Sequence, residues 1–348
     1  MAILVTGVAG FIGSNFCYFY LDAHKERKII GLDSLTYAGN IANLSKLTDE
    51  QKKRFHFIKG DINDKDLLDK IYAENDITGI INFAAESHVD RSIHDPQIFL
   101  KTNILGTQNL IHVFKENDDE KKGHRFLQVS TDEVYGALGP TGLFTESSPL
   151  DPHSPYSASK TSADLIVKAY HDTFGLNTLI TRCSNNYGPY QFPEKLIPLM
   201  IYNALHHKEL PVYGDGRQIR DWLYVKDHCK AIDMVFEKGT SGEVYNIGGK
   251  NERENVLIVK TILELLREKT GDQEINDNLI KHVKDRLGHD RRYGINPSKI
   301  TTQIGWEPSI MFEDGIKMTI DWYLENSQWT QSVISGDYLK FYEKNYNF

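Results

Sequence analysis

Two residues four positions apart, Tyr156 and Lys160, could transfer a proton. On a helix, this spacing places the phenol and the ammonium on one face. A phenol with a pKa of about 10 is a poor base at neutral pH, whereas a nearby ammonium favours the phenolate and lowers that pKa. About one such pair is expected by chance in a chain of this composition. The pair therefore has meaning only together with the motifs described next.

Three consecutive polar residues, Thr131, Asp132 and Glu133, follow an apolar segment at 125–130. Thr131 could hydrogen-bond a substrate hydroxyl beside Tyr156. Two adjacent carboxyl groups can serve as one acid and one base when their environments separate their pKa values. The alternative is that the two carboxyls only cap the next turn. Spacing alone leaves both interpretations open.

A glycine-rich segment at 7–13, with the sequence GVAGFIG, could bind a dinucleotide. Its glycines permit a tight turn and let the backbone approach a pyrophosphate at the N-terminus of the following helix. Asp33 follows at about 20 residues, the spacing of an acid that binds the ribose of NAD and repels the extra phosphate of NADP. Asp61 and Ile62 are placed to contact adenine. The alternative is a simple strand-to-helix turn followed by an unrelated aspartate.

These residues need strands that end at a common edge and helices that connect them. Apolar, β-branched segments predict six strands, at 2–6, 28–32, 55–59, 79–83, 125–130 and 178–182. Longer mixed segments predict helices at 13–24, 64–74, 103–116 and 155–174. This alternation indicates an α/β fold with a doubly wound parallel sheet of the Rossmann type, whose ligands bind at the carboxyl ends of the strands.

The alternation stops after about residue 185. Segment 185–198 is rich in Asn, Tyr, Gly and Pro, which indicates a loop that crosses between domains. Apolar residues at helical spacing predict a helix at 256–269, ended by Gly271, and another near 314–325. These helices indicate a smaller, α-rich substrate-binding domain over the ligand edge of the sheet.

The composition excludes several classes of protein. A chain of 348 residues suggests about two domains. With 40 Lys and Arg against 48 Asp and Glu, its charge of −8 disfavours nucleic-acid and membrane partners. Three cysteines without a CxxC spacing disfavour disulfides and a metal site. No run of 18 apolar residues and no basic leader is present, so we expect a cytoplasmic protein.

The combination of motifs resembles the extended short-chain dehydrogenase/reductase superfamily. The resemblance rests on the glycine loop, on Asp33, on the AAESHVD segment at 84–90, and on the Thr-Asp-Glu and Tyr-Lys motifs. Within the superfamily, residues 3 to about 323 are similar to the nucleotide-sugar 4,6-dehydratases that act on dTDP-glucose. The more specific segments lie at 35–40, 184–191, 195–198, 220–223 and 288–293. Related epimerases typically lack the Asp-Glu pair, because they eliminate no water.

The resemblance implies a redox-neutral elimination of water with tightly bound NAD. Tyr156, poised by Lys160, would take the O4′ proton as a hydride leaves C4′. Glu133 would remove the C5′ proton and later return it, and Asp132 would protonate the departing C6′ hydroxyl. Thr131 would hold and polarise O4′. The hydride would return to C6′ and give a nucleotide-linked 4-keto-6-deoxy sugar.

The same resemblance assigns residues to both ligands. Those expected at the cofactor are Gly7, Gly10, Phe11, Ile12, Gly13, Asp33, Asp61, Ile62, Ala84, Ala85, Tyr156 and Lys160. Those expected at the nucleotide sugar are Ser87, His88, Thr131, Asn186, Lys195, Leu196, Pro211, Tyr213, Arg220, Asn255, Arg286, His289 and Tyr293. Arg220 and Arg286 suit bidentate contacts to a diphosphate. The alternatives are a structural role for His88 and a solvated charge run at 290–292.

Two departures from the family pattern leave the choice among dTDP, UDP and CDP open. Val8 replaces a common glycine, and Leu287 replaces a usual proline. The alternative functions are a UDP-sugar 4,6-dehydratase, a nucleotide-sugar 4-epimerase and a non-catalytic NAD-binding regulator. The Asp132-Glu133 pair disfavours the epimerase, and the intact Tyr156-Lys160 pair disfavours the regulator.

We expect two domains built from interleaved segments. Residues 1–185 plus roughly 218–242 would bind NAD, and residues 186–217 plus roughly 243–348 would bind the nucleotide sugar. The resemblance further implies a homodimer through helices 103–116 and 155–174. It also implies a place in deoxysugar biosynthesis, such as that of rhamnose.

Overall fold

A parallel seven-stranded sheet forms the centre of the molecule. The computed structural model describes residues 1–118, 123–286 and 288–334. Its strands are β1 (Ala2–Thr6), β2 (Lys28–Asp33), β3 (Phe55–Lys59), β4 (Ile77–Asn82), β5 (Arg125–Thr131), β6 (Thr178–Cys183), β7 (Asn185–Tyr187), β8 (Leu210–Tyr213), β9 (Ile219–Tyr224), β10 (Val244–Ile247), β11 (Glu252–Glu254) and β12 (Ile280–Val283). The order in the main sheet is β10-β6-β5-β4-β1-β2-β3, with every neighbouring pair parallel.

Helices cover both faces of this sheet. They are α1 (Phe11–Ala23), α2 (Asp49–Lys52), α3 (Lys65–Glu74), α4 (Val89–His94), α5 (Pro96–Phe99), α6 (Thr107–Asn117), α7 (Pro155–Phe174), α8 (Leu196–Leu205), α9 (Val225–Lys238), α10 (Asn255–Thr270), α11 (Ser298–Ile304), α12 (Phe312–Glu325) and α13 (Ser327–Val333). One apolar core joins α1, α9 and α11 to the sheet, and a second joins α3, α6 and α7 to its other face. The doubly wound architecture predicted from the sequence is confirmed.

The strand order places a ligand crevice at a specific point. The order reverses between β1 and β4, so the connections that leave these two strands run in opposite directions. In doubly wound sheets, ligands bind at the carboxyl ends of the strands beside such a reversal. The glycine loop follows β1, and the segment at 84–90 follows β4.

All six predicted strands are present, and the second half of the chain adds a seventh strand to the main sheet. The four residues of β10 pair with β6 in the main sheet, so the segment that returns to the sheet extends beyond residue 242. The segment that returns to the main sheet begins with α9, which packs against α1. By contrast, β9 pairs with β7 and β11 in a separate three-stranded sheet. A strand as short as β10 has too few residues to show a pattern in the sequence.

A third apolar core lies outside the main sheet. It joins α8, α10 and α12 around the short strands β8 and β9. The predicted helix at 256–269 is present as α10, and Gly271 ends it with a positive φ of 73°. Residues 335–348 of the expected second domain, and Leu287, lie outside the described residues. Within the described ranges, no helix is long and apolar enough to cross a membrane.

Candidate active site

Two adjoining cavities lie over the carboxyl ends of the main strands. The first encloses about 340 Å³ between the glycine loop and the residues that follow β5 and β6. The second encloses about 170 Å³ between the first cavity and the third apolar core. Both are lined by Ser87, Glu133, Asn185, Glu194 and Lys195, so the two spaces meet at Glu133. Such a divided cleft can hold two ligands end to end.

The glycine loop has the geometry of a phosphate-binding turn. Gly7 has a positive φ of 68°, and a Cβ there would lie 2.9 Å from the backbone nitrogen of Ala84. A Cβ on Gly13 would lie 2.1 Å from the carbonyl oxygen of Gly7, so only glycine lets α1 pack this closely on the turn. At Gly10, which begins α1, no side chain caps the helix. The first N–H groups of α1 are therefore available to an anion.

Asp33, at the end of β2, holds the glycine loop in place. Its carboxylate accepts hydrogen bonds from the backbone nitrogens of Ala9 and Leu35, both at 2.8 Å. Burial raises the pKa of Asp33, and these two hydrogen bonds act in the opposite direction. Asp33 also lines the first cavity, as do Asp61 and Ile62. The residue thus combines a structural anchor with a position suited to a ribose.

Tyr156 and Lys160 lie in the first turns of α7 and face the first cavity. Ser154 and Ser157 cap the start of this helix with a reciprocal pair of hydrogen bonds, which fixes where the phenol lies. The Lys160 ammonium donates a 2.8 Å hydrogen bond to the carbonyl oxygen of Val129, on β5. This bond joins α7 to the strand that carries the carboxyl pair.

The expected lowering of the Tyr156 pKa is wrong for the protein on its own. Burial raises the pKa of Tyr156 well above its usual value, and the nearby Glu133 carboxylate adds to the rise. Burial also lowers the pKa of Lys160. The attraction between the two groups favours the phenolate, but desolvation of the buried phenolate has the larger effect on the pKa.

The carboxyl pair follows β5 in a single 3₁₀ turn, Asp132–Tyr135. The cap of this turn is the hydroxyl of Thr131, which accepts a hydrogen bond from the Glu133 nitrogen at 3.3 Å. The alternative role for the carboxyls, as caps, is therefore wrong. Asp132 is 2% exposed, and among the described residues its Oδ2 has no hydrogen-bond partner. Because neither carboxyl caps the turn, both are available for proton transfer.

The surroundings of Asp132 and Glu133 differ, as an acid and a base require. Burial raises the pKa of Asp132 well above its ordinary value, and Glu133 and Asp221 raise it further. Burial also raises the pKa of Glu133, but Arg220 and two other cations oppose that rise. Asp132 thus faces two further carboxylates and one arginine, whereas Glu133 faces three cations and Asp290, a contrast that favours Asp132 as the acid and Glu133 as the base.

The second cavity contains a buried cation, Arg220, that forms no salt bridge with the described residues. The Arg220 guanidinium donates to the carbonyl oxygens of Ile219 and Asp290, at 2.8 and 2.9 Å, and lies 4.2 Å from the centre of the Tyr293 ring. In the part of the chain that the structure describes, no carboxylate forms a salt bridge with it. Burial lowers its pKa. A buried cation in this state attracts an anionic ligand.

The two arginines expected at a diphosphate have different surroundings. Arg286 forms a two-pronged ion pair with Asp90, at 2.6 and 2.9 Å. Its charge is therefore already balanced, in contrast to that of Arg220. No pattern in the sequence indicates this difference, because Asp90 and Arg286 are 196 positions apart.

The structure brings all predicted site residues to these two cavities. Every residue expected at the cofactor lines the first cavity. Thr131 and Asn186 also line the first cavity, Ser87 and Lys195 line both, and the other residues expected at the nucleotide sugar line the second. His88 is buried, and its Nδ1 accepts a hydrogen bond from the nitrogen of Arg91 at the start of α4, so it has a structural role as well. Burial lowers its pKa far below the ordinary value.

The supposed charge run at 290–292 is only partly solvated. Asp290 is buried, and its carboxylate accepts hydrogen bonds from Tyr293 and pairs with His153, both at 2.6 Å. Arg292 is buried and pairs with Glu252, whereas Arg291 is exposed. Of these three residues, only Arg291 is exposed to solvent, as the alternative interpretation of the segment expects.

Several lining residues were missed from the sequence. In the first cavity they are Ser34, Thr36, Ala38, Gly39, Thr102, Cys183, Gln191 and Glu194. Four of these eight, Thr36, Ala38, Gly39 and Gln191, lie in the segments 35–40 and 184–191, where only Asn186 is assigned from the sequence. Glu194 accepts a hydrogen bond from the Tyr37 hydroxyl at 2.9 Å, and burial raises its pKa to about 7.

Away from both cavities, the described residues include one cluster with metal-ligand spacing. His24, Asp233 and Glu237 bring their ligand atoms within 4.8 Å of one another where α1 meets α9. Arg27 already pairs with Glu237 at 2.9 Å, and His24 pairs with Asp233 at 2.8 Å. The cluster is therefore an ion-pair network as it stands.

Comparisons with known proteins agree with this architecture. A family model described as GDP-mannose 4,6 dehydratase matches residues 4–319. The chain is 51% identical over 343 residues to a dTDP-glucose 4,6-dehydratase of Xanthomonas campestris pv. campestris strain B100, which covers 96% of each chain. A crystal structure of dTDP-glucose 4,6-dehydratase from Bacillus anthracis in complex with NAD is 49% identical, with a TM-score of 0.85 over 96% of this chain and 99% of that one. The dTDP-glucose 4,6-dehydratase DesIV from Streptomyces venezuelae, with NAD bound, is 44% identical, with a TM-score of 0.87 over 96% and 100%.

Proposed function

Since this chain belongs to the family of nucleotide-sugar 4,6-dehydratases, we propose that it eliminates water from dTDP-glucose. The reaction is that of an NAD-dependent hydro-lyase with no net redox change. Its product is the nucleotide-linked 4-keto-6-deoxy sugar. The observation that carries the proposal is the pair of adjacent carboxyls, the buried Asp132 and the half-buried Glu133, in the cavity that also holds Tyr156 and Lys160.

The residues of the first cavity fit NAD. The close approach at Gly7 and Gly13 leaves space for a pyrophosphate at the uncapped start of α1, and Asp33 is placed for the ribose. When bound, NAD supplies a hydride acceptor at C4′ and a hydride donor at C6′. The protein supplies the enclosure, the orientation and the proton transfers.

Tyr156, in its phenolate form, would take the proton from O4′ while C4′ is oxidised. The phenol is 8% exposed, so water competes little for that proton. Lys160 is positioned to stabilise the phenolate, since it lies one turn further along α7. Thr131 adds a hydroxyl that lines the same cavity as the phenol. These three groups support the oxidation step, which a dehydratase shares with an epimerase.

The carboxyl pair supports the step that only a dehydratase performs. The C4′ ketone acidifies the C5′ proton, and Glu133 removes it. Asp132, which burial keeps protonated, gives its proton to the C6′ hydroxyl as water leaves. Glu133 then returns its proton to C5′, so that residue ends the cycle as it began.

The second cavity suits the nucleotide diphosphate. Its walls include the buried Arg220, Lys195 and the aromatic ring of Tyr213. Arg220 has no carboxylate partner within the described ranges, so a diphosphate would supply the missing negative charge. We assign this cavity to the diphosphate and the nucleoside on that ground.

The segments around the cavities support two interleaved domains. We propose that the NAD-binding domain comprises 1–185 and 225–247, since α9 and β10 pack on the main sheet. The remaining described residues, built around the third apolar core, form the nucleotide-sugar domain. The three cysteines are unpaired and buried, which supports the expected cytoplasmic location.

Exposed apolar side chains support the expected homodimer. Leu105 is 58% exposed, and Leu165, on α7, is 53% exposed. Leu100 and Phe174 on the same two helical segments are also exposed. Large apolar side chains grouped on adjacent helices favour a contact with another copy of the chain.

The test is to incubate the protein with dTDP-glucose or UDP-glucose in D₂O and to analyse the products by mass spectrometry. A dehydratase gives a product lighter by one water, before deuterium gained at C5′ is counted. A product with the substrate's own composition would instead indicate a 4-epimerase and would overturn the proposal. Faster turnover of UDP-glucose would leave the reaction intact and correct only the nucleotide.

A further inference from the structure

Asn43, which lines neither cavity, joins the glycine loop to a helix near the other end of the chain. It lies in a single 3₁₀ turn, Ile41–Leu44, and is 1% exposed. Its amide nitrogen donates a 2.8 Å hydrogen bond to the carbonyl oxygen of Ala9, inside the glycine loop. Its amide oxygen accepts a 2.8 Å hydrogen bond from the indole nitrogen of Trp329, on α13. One buried amide thus connects the loop with a residue 286 positions beyond Asn43.

The two partners of the Asn43 amide select a single orientation for it. An indole N–H can only donate, so it requires the amide oxygen on its side. A backbone carbonyl can only accept, so Ala9 requires the amide nitrogen. Without the N–H of Trp329, a buried amide oxygen would lose its partner, which makes the observed orientation less favourable. The indole of Trp329 therefore stabilises the orientation in which Asn43 holds Ala9.

Ala9 is held at both of its backbone polar groups. Its nitrogen donates to the Asp33 carboxylate at 2.8 Å, and its carbonyl oxygen also accepts a 3.0 Å hydrogen bond from the nitrogen of Asn40. On either side of Ala9, Gly7 and Gly10 line the first cavity. A pyrophosphate would bind to backbone N–H groups of this loop, so a shift of Ala9 would displace its binding groups. The contacts of Ala9 therefore set the shape of the loop before a ligand arrives.

Aromatic packing fixes the position of Trp329 itself. Its ring centre lies 5.0 Å from that of Trp322 and 5.8 Å from that of Tyr190, both with the rings edge to face. This group of rings packs against the third apolar core. On the other side, the Tyr18 hydroxyl, on α1, donates to the carbonyl oxygen of Asn43 at 2.7 Å. The glycine loop is thereby supported, through Asn43, by the third apolar core.

We propose that Trp329 is a positioning residue for NAD, which acts through Asn43 on the glycine loop. Trp329 lines neither cavity, so it contacts no bound ligand there and acts on the shape of the loop. The inference rests on the proposed function, because NAD is the ligand that the loop would hold. Loss of the indole N–H should weaken the binding of NAD and leave the reacting groups of the first cavity in place.

The first test compares Trp329→Phe with Trp322→Phe in the NAD-loaded protein. Both variants replace an indole of the same aromatic group by a benzyl ring, but only Trp329 bonds to Asn43. The measurement is the rate at which bound NAD exchanges for radiolabelled NAD in excess. We expect exchange about tenfold faster from Trp329→Phe, because a buried amide loses its partner, and the wild-type rate from Trp322→Phe. Equal acceleration in both variants would show that the packing of the rings matters rather than the N–H, and would overturn the proposal.

The second test asks whether the effect of Trp329 passes through Asn43. Asn43→Ala alone should accelerate NAD exchange at least as much as Trp329→Phe. The double variant should exchange NAD no faster than Asn43→Ala, because the indole then has no amide to orient. Effects that multiply in the double variant would show that Trp329 acts by another route, and would overturn the proposal.

The same measurements distinguish a failure of the inference from a failure of the proposed function. A wild-type protein that holds no NAD would refute the proposed function itself. NAD that is held by the wild type and exchanges equally fast from Trp329→Phe would refute only the positioning role of Trp329.

Discussion

At Glu133, removing the charge should separate oxidation from elimination. In Glu133→Gln, an amide cannot take the C5′ proton, whereas Tyr156, Lys160 and Thr131 are unchanged. We expect formation of the 4-keto-6-deoxy product to fall by about 10²–10⁴-fold. Some 4-keto-glucose nucleotide should still form. Mass spectrometry of quenched reactions distinguishes the two, because the oxidised sugar has lost two hydrogens but no water.

The control for this variant is Glu209→Gln. Glu209 is exposed and pairs with Lys281 at 3.0 Å, away from both cavities, so the same chemical change there should leave turnover unaffected. Full product formation by Glu133→Gln would remove Glu133 from the role of base.

The carboxyl group of Asp132 is expected to lower the stability of the folded protein at neutral pH. Its pKa is raised well above the ordinary value, so the folded protein holds a proton there at pH values where the unfolded chain has lost it. The stability that this group contributes is therefore complete below the ordinary carboxyl pKa and falls as pH rises through the raised value. Asn at this position has no proton to lose. Asp132→Asn should thus be more stable than wild type at pH 7, and nearly inactive.

Thermal unfolding at two pH values checks this prediction. We expect a Tm gain of roughly 2–4 °C at pH 7, the shift that about 1 kcal/mol gives in a sizeable domain. The gain should shrink towards about pH 3, below the ordinary carboxyl pKa of about 3.9, where the carboxyl is mostly protonated in both states. A lower Tm at pH 7 would show that the carboxyl is stabilised by contacts rather than strained by burial.

The identities of the reacting residues could be predicted from the sequence, but their states could not. Tyr156, Asp132 and Glu133 were found because short motifs name them. The raised pKa of Tyr156 comes from enclosure, which no local pattern records. The pairing of Arg286 with Asp90 likewise depends on residues far apart in the chain. Local spacing therefore identifies chemical groups, whereas burial and distant partners determine how they behave.

At the level of elements, the junction of β2 with the glycine loop should determine cofactor affinity. Asp33 holds Ala9 and Leu35 by hydrogen bonds and lines the first cavity. In Asp33→Ala both the anchor and the ribose contact are lost. We expect the Kd for NAD to rise at least about tenfold, since hydrogen bonds to charged groups contribute about 1.5–3 kcal/mol each.

Calorimetric titration with NAD and NADP measures this effect. Asp22→Ala is the matched control, because Asp22 is an exposed residue of α1 that lies outside both cavities and contacts only Lys25 and the side chain of Gln51 among the described residues. If the wild-type protein preferred NADP, the assignment of Asp33 to the ribose hydroxyls would fail.

Elements with long apolar patterns could be predicted from the sequence, and short ones could not. The first six strands of the main sheet were found because each is a nearly continuous apolar run. Four residues of β10 carry too little pattern, although they complete the same sheet. The helix predicted at 103–116 begins as a π-helical turn, Leu100–Gly106, that carries Thr102 to the first cavity. Such a turn is set by packing against α7, which a single segment does not reveal.

At the level of the whole molecule, an acidic protein binds anionic ligands by local means. The net charge of −8 would repel a nucleotide diphosphate at long range. The glycine loop offers backbone N–H groups, and the second cavity offers the buried guanidinium of Arg220. Both sources lie inside the molecule, where solvent screens them little. The overall charge and the ligand charge are therefore compatible.

Two exposed leucines, Leu105 and Leu165, predict that the protein assembles as a dimer. Leu105 and Leu165 are more than half exposed on adjacent helical segments, and a contact between two copies would bury them. The double variant Leu105→Glu/Leu165→Glu should therefore be monomeric in size-exclusion chromatography with light scattering, while the wild type is dimeric. Leu257→Glu is the control, because Leu257 is 52% exposed on α10, away from this face. A double variant that stays dimeric, or a Leu257→Glu protein that dissociates, would place the interface elsewhere. Helix α7 also carries Tyr156 and Lys160, so loss of the dimer should lower kcat. Neither Leu105 nor Leu165 lines the first cavity, so this loss of activity would not come from a changed site residue.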